Sequence, residues 1–203
     1  MSNYQKDKSS NIRSVYNVGY LGVGKYLNVE NGKNTYVYCV WNGMLRRCYS
    51  KEYLKKFPSY IGCTVHEDWH NFQNFAKWFD QNYIKGCQLD KDILIKGNKV
   101  YSSGTCCFVP QEINSLLTNS KNKRGNYLIG VRKNKSGKYS SYISFNKKQI
   151  HLGTFDYEIE AFLKYKKEKE NIIKEQSSKY FKDGKINMNV HMALYHYKIN
   201  ITD

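Results

Sequence analysis

The chain has 203 residues, 40% hydrophobic and 15% aromatic with only two prolines, a composition that excludes global disorder and suffices for one ordinary domain or two small ones. Its 33 Lys and Arg against 17 Asp and Glu give a formal charge of +16. Such a field repels itself and draws polyanions, so nucleic acid is the leading partner class and an anionic membrane surface the second.

No apolar run approaches the roughly 20 residues needed to span a bilayer, and the polar start MSNYQKDKSSN has no signal-peptide core, so an intracellular, non-secreted protein is expected. Cys39, Cys48, Cys63, Cys87, Cys106 and Cys107 contain no C-x-x-C pair and read as reduced thiols rather than as a disulfide framework or a zinc knuckle. The glycines of NVGYLGVGKY (17–26) have no following G-K-S/T and form no phosphate loop.

The first element with a clear period is VYCVWNGMLRRCYS (37–50). It places Val40, Met44, Leu45 and Cys48 on one helical stripe with Trp41 beside it, and leaves Arg46 and Arg47 for a phosphate backbone. TVHEDWHNFQNFAKWFDQNY (64–83) repeats the pattern with Trp69, Phe72, Phe75, Ala76 and Phe79, widened by Trp78. His66, Glu67, Asp68 and His70 resemble a ligand cluster in composition. Their position at the start of the helix instead favours capping and dipole roles. QLDKDILIKGNKVYSSGTCCFVPQEINSLL (88–117) reads as a short strand, a loop, a second strand at Val100-Tyr101, a turn, then Cys107-Phe108-Val109 and a helix opening near Pro110, a ββα outline.

Charge then concentrates. Residues 115–151 carry nine Lys and Arg and no acid, whereas 152–180 carry six of each sign. The basic stretch still alternates: Leu128 to Arg132, Tyr139 to Phe145 and Gln149 to Phe155 predict three short antiparallel strands, with a turn at Ser136-Gly137. A helix follows over 156–180, with Ile159, Phe162, Tyr165, Ile172 and Ile173 toward the sheet and Thr154 or Asp156 as N-cap. Such a helix covers one face and leaves the other basic and open.

The segments RGNYLIGVRK (124–133), GKYSSYI (137–143) and IHLGTFDYEIEAFLKY (150–165) resemble the plant ethylene-response-factor (APETALA-type) DNA-binding domain, also found in phage and bacterial homing endonucleases. The resemblance implies a three-stranded sheet lying in a DNA major groove with the helix behind it. By position, Arg132 takes a DNA-contacting arginine of the first strand and Asn134 stands near another. Tyr142 and Ser144 fall on outward second-strand positions. Gln149 and His151 replace a third-strand arginine and tryptophan, so base preference does not transfer. Lys133, Lys135, Lys138, Lys147 and Lys148 suit phosphates, and Arg132 suits direct readout.

The ββα outline resembles the HNH, or His-Me finger, nucleases of phage homing endonucleases, in which an Asp and a helical Asn hold one divalent metal and a His activates water. Here Asp90 and Asn114 take the metal positions, Thr105 stands at the middle Asn, and Lys91 replaces the His. A lysine with a pKa of about 10.4 is a poor base near neutrality. His66 and His70 are the histidines nearest in sequence.

The expected whole is therefore an α+β protein: an N-terminal helical region (1–117) with a ββα finger at about 64–117, a linker at 118–123, a three-stranded antiparallel sheet packed on one helix (124–180), and a C-terminal extension (181–203). The resemblance implies a phage-like binder of double-stranded DNA that cuts or nicks with magnesium or manganese. The alternative is an inactive sequence-specific DNA-binding or regulatory protein. An RNA-binding or membrane-surface protein is a third reading, weakened by the absence of a basic amphipathic helix.

Overall fold

The computed structural model describes residues 15–118, 126–146 and 148–203, so the expected linker, apart from Thr118, lies outside the described residues. The architecture is mixed α+β, with six α-helices and small sheets among the described residues. It divides into two compact units, one comprising the chain up to Lys85 with Leu89–Phe108, the other Gly86–Gln88 with Val109–Asp203.

Aromatic packing organises the first unit. Strands β1 (Val29–Glu30) and β2 (Lys33–Asn34) form a hairpin in which Asn31 and Gly32 take φ of 50° and 74°. Asn-Gly is the pair that a two-residue turn with two positive φ angles favours. Thr35 caps α1 (Tyr36–Tyr49), accepting from the Tyr38 N–H at 3.4 Å. The expected stripe is present at Met44, Leu45 and Cys48, but Trp41 is fully buried and Val40 only half-buried. Trp41 takes the inner place because its indole N–H donates to the Trp69 carbonyl at 2.7 Å, which buries the largest side chain of the helix with its one donor satisfied.

After α2 (Lys51–Lys56) and β3 (Thr64–Val65), a 3-10 turn at Glu67–His70 precedes α3 (Phe72–Asn82). Asn71 caps α3 by accepting from the Gln73 N–H at 2.9 Å, so Glu67 and Asp68 belong to the 3-10 turn and not to the helix. The α3 face is the expected one, with Phe72, Phe75, Ala76 and Phe79 buried. Phe72 meets Trp41 with ring centroids 5.5 Å apart.

Strand β4 (Cys87–Asp90) pairs with β6 (Cys107–Pro110), while β5 (Val100–Tyr101) pairs in parallel with β3. The second strand of the expected finger thus joins a different partner. Helix α4 (Gln111–Leu117), expected with the finger, groups with the second unit. All six cysteines are free, and all but Cys39 are buried.

In the second unit β7 (Val131–Lys133), β8 (Tyr139–Phe145) and β9 (Lys148–Phe155) form the three-stranded antiparallel sheet, in that order. Val131 pairs with Ser141, and Arg132 with Ser140. A bulge between Ser141 and Tyr142 leaves Leu152 as the extra residue of β9. Helix α5 (Glu158–Lys182) lays Ala161, Phe162 and Tyr165 on Val131 and Ile143. Full burial of such side chains stabilises by roughly 1.5–3 kcal/mol each.

The helix begins at Glu158, so Asp156 lies too early to cap it. Its carboxylate bonds Lys138 at 2.9 Å instead, and the Tyr157 N–H donates to Glu160 at 3.4 Å. Ile159 faces solvent, because the buried stripe runs Ala161, Tyr165, Lys169, Ile173, Ser177 in steps of four. The C-terminal stretch contributes α6 (Met188–Tyr195), held to α5 by Ser177 bonding His191 at 2.7 Å, and Ile199, which enters the sheet–helix core.

Gly130 fixes the approach of β7 to α5. Its φ is 78°, and a Cβ there would lie 2.1 Å from the Tyr165 ring. Gly130→Ala is expected to destabilise the protein by roughly 3 kcal/mol, overpacking and left-handed strain acting together. Urea unfolding checks this, and a loss below about 1 kcal/mol would show that the ring yields.

Candidate nucleic-acid interface

With α5 on the Val131–Ile143 face, the register turns Arg132, Ser140, Tyr142, Ser144, Gln149, His151 and Thr154 to the opposite face. Three of them form a row across the strands. The Arg132 guanidinium lies 5.3 Å from the Tyr142 ring centroid, and the Tyr142 and His151 rings are 5.0 Å apart. Gln149 accepts from Arg132 Nη1 at 3.5 Å, and His151 Nε2 shares a hydrogen bond with Thr154 at 3.2 Å. Arg132 has no carboxylate partner among the described residues, so its planar donors stay available. Arg132, Tyr142, Ser144, Gln149 and His151, chosen one by one from the sequence, are thus brought together on a single face.

The other basic candidates fall elsewhere. Lys133 pairs with Tyr139 and Lys148 with Phe145, on the helix side by parity, and Lys133 lies over the Tyr139 ring at 5.5 Å. Asn134 builds the β7–β8 turn: its Oδ1 accepts from the Ser136 N–H at 3.1 Å and the Lys138 N–H at 3.0 Å. Lys138 is committed to Asp156, whose hydrogen bond raises the lysine's pKa. Lys147 lies outside the described residues. The cations therefore border the open face, and Arg132 is the one permanent cation on it among the described residues.

Beside the edge strand β7 runs an open groove of about 780 Å³, lined in part by Ser115, Tyr127, Arg132, Tyr142 and Lys169. Sequence reading missed Lys169. It is only 6% exposed and makes no hydrogen bond or ion pair with any described residue, and its ammonium lies 5.9 Å from the Tyr165 ring centroid. Burial lowers its pKa from 10.5 to about 8. The signal was its place in the sequence, one helical turn after Tyr165 and one before Ile173, where the period demands an apolar residue.

In the first unit the proposed chemistry finds other uses for its residues. The Lys91 side chain is buried and donates to Asp92 and, at 2.9 Å, to the Asn98 carbonyl. Asp90 Oδ1 accepts the N–H groups of Asp92 at 2.7 Å and Ile93 at 2.9 Å, and burial pushes its carboxyl upward, against the charged form a metal needs. His66 caps the 3-10 turn, accepting from the Asp68 N–H at 3.4 Å, and His70 Nε2 lies 3.4 Å from the Tyr49 hydroxyl. Thr105 bonds the Val100 carbonyl at 2.7 Å. Arg47 turns inward to the Tyr101 hydroxyl at 3.3 Å and Arg46 stacks over Tyr53 at 5.0 Å. In the second unit, Asn114 donates to Gln88 at 3.2 Å.

No group of three or more His, Cys, Asp or Glu able to hold a metal ion gathers among the described residues. Asp90 Oδ1 and the Asn114 amide, the positions that the resemblance gives to a divalent ion, both have protein partners. Among the described residues no helix is long and apolar enough to cross a membrane.

Lys169 generates a test of its own. Its pKa is lower in the folded chain than in the unfolded chain, so below pH 8 the folded state bears the full penalty, and stability rises between about pH 8 and 10.5 as the native protein loses the proton first. Lys169→Met is expected to stabilise the protein by roughly 3 kcal/mol at neutral pH, with the gain shrinking toward pH 10.5. Urea unfolding at both pH values checks the sign, and a gain independent of pH contradicts it.

No family model matches this chain, and neither the curated proteins nor the solved structures include one similar to it.

Proposed function

We propose that this chain binds duplex DNA through the open face of the β7–β8–β9 sheet, with Arg132 reading a base edge, and that it does so without cutting. The observation that carries the reading is the Arg132–Tyr142–His151 row on a sheet face that α5 leaves uncovered. The outer strands of such a sheet stand about 10 Å apart, within a major groove about 12 Å wide. The formal charge of +16 supplies the long-range attraction. Tyr142 and Gln149 hold the guanidinium, which reduces the entropy lost when it engages guanine.

Lysines bordering the face contact phosphates, which position the protein without reading sequence. Affinity for a preferred site is expected to fall with a log–log salt slope of about −3 to −6, near −0.9 per phosphate neutralised. Arg132→Ala should weaken that site by roughly 10- to 100-fold while leaving random duplex nearly unchanged, as read by fluorescence anisotropy. An equal loss on both duplexes removes the base-reading role.

The reading without cutting rests on the Lys91 ammonium, which donates to Asp92 and Asn98, and on Asp90 Oδ1, which accepts two backbone N–H groups. Supercoiled plasmid incubated with magnesium or manganese is expected to remain intact. Metal-dependent nicking that disappears in Asp90→Ala would establish a nuclease and overturn this part of the reading.

A further inference from the structure

Lys169 stands where the helix period places a core residue, between Tyr165 and Ile173 on the buried stripe of α5. Its side chain nonetheless reaches the wall of the groove beside β7. The other ionisable groups on the described wall are Arg132, Lys133 and the phenols of Tyr127, Tyr142 and Tyr165. There is no carboxylate among the described lining residues, and the buried ammonium has no counterion among the described residues. A methionine or leucine would fill the same position without the desolvation cost. A cation held at such a cost, unpaired and lining an open groove, matches a site whose counterion arrives from outside.

We propose that the groove is a phosphate-binding subsite, in which the Lys169 ammonium receives an anionic oxygen and the hydroxyls of Ser115 and Tyr127 supply further donors. Phosphate is the anion that fits this donor set, because several N–H and O–H groups around one tetrahedral oxyanion satisfy one another's geometry. The groove is open and large enough for a phosphate carried on a chain as well as a free one. Only the source of that phosphate, a DNA backbone, rests on the duplex-binding reading. Lys169 would extend the footprint past the sheet edge, onto a strand that the open face itself does not reach.

The test uses the full chain labelled with ¹³C at lysine, following the Lys169 Cε resonance through a pH titration. In chloride the midpoint is expected near 8. Adding inorganic phosphate at matched ionic strength should raise it by roughly one unit, a tenfold gain in proton affinity, and a random-sequence duplex should do the same. Lys169→Met should remove that resonance, which assigns it, and lower the salt slope of random-duplex binding by about 0.9, one phosphate contact.

A rise with inorganic phosphate but not with duplex keeps the subsite, assigns it to free phosphate and removes it from DNA binding. A rise with phosphate in a protein that binds no duplex sinks the DNA reading alone. No rise with either, in a protein that still binds duplex through Arg132, overturns the subsite alone.

Discussion

The Tyr165 ring occupies the space that a side chain at Gly130 would need. This one contact, 2.1 Å from a hypothetical Cβ, sets how closely β7 approaches α5. With β7 seated there, Val131 and Ile129 join Ile143, Ala161 and Phe162 in a single core. Strand alternation then leaves Arg132 no choice of face. Tyr142 follows by pairing in β8, and His151 by its register in β9. The open row is a consequence of what is packed behind it.

The charge is distributed less simply than its density along the chain suggests. The basic stretch of 115–151 reads as a positively charged surface. In three dimensions its described lysines divide among a turn, an ion pair and the helix side of the sheet, and the described residues of the outward face are mostly neutral donors and acceptors around one guanidinium. Charge on the margins with polar, aromatic groups at the centre separates attraction from discrimination. Screening weakens the first with salt, while the hydrogen bonds of the second are short-ranged and keep their geometry.

Much of this was legible in the sequence. The alternation of Tyr139 to Phe145, the Ser136-Gly137 turn and the Phe162–Tyr165 spacing gave the sheet and the helix, because burial of one face imposes a period. The α3 face was equally plain in Phe72, Phe75 and Phe79. What failed were choices made by partners distant in sequence. Trp41 displaced Val40 because the Trp69 carbonyl, 28 residues on, accepts its N–H. Asp156 left the cap for Lys138, and β5 left the expected finger for β3. The Asn31-Gly32 hairpin carried a clear local signal that periodicity, being averaged over longer windows, does not register. Lys169 was hidden for the opposite reason: a lysine among lysines and glutamates looks like the solvated side of a helix until the four-residue stripe is followed through it.

The buried cysteines have a practical meaning of a different kind. Burial pushes the thiols of Cys48 and Cys106 up to about 12, and that of Cys87 upward as well. A thiol in that state reacts with alkylating reagents only when the structure around it opens. Cys39 alone is exposed in the native chain. Cys48 and Cys106 lie in the first unit and Cys87 in the second. The molecule therefore carries its own clocks: one thiol that reports the reagent, and others whose labelling rates time the opening of each unit separately.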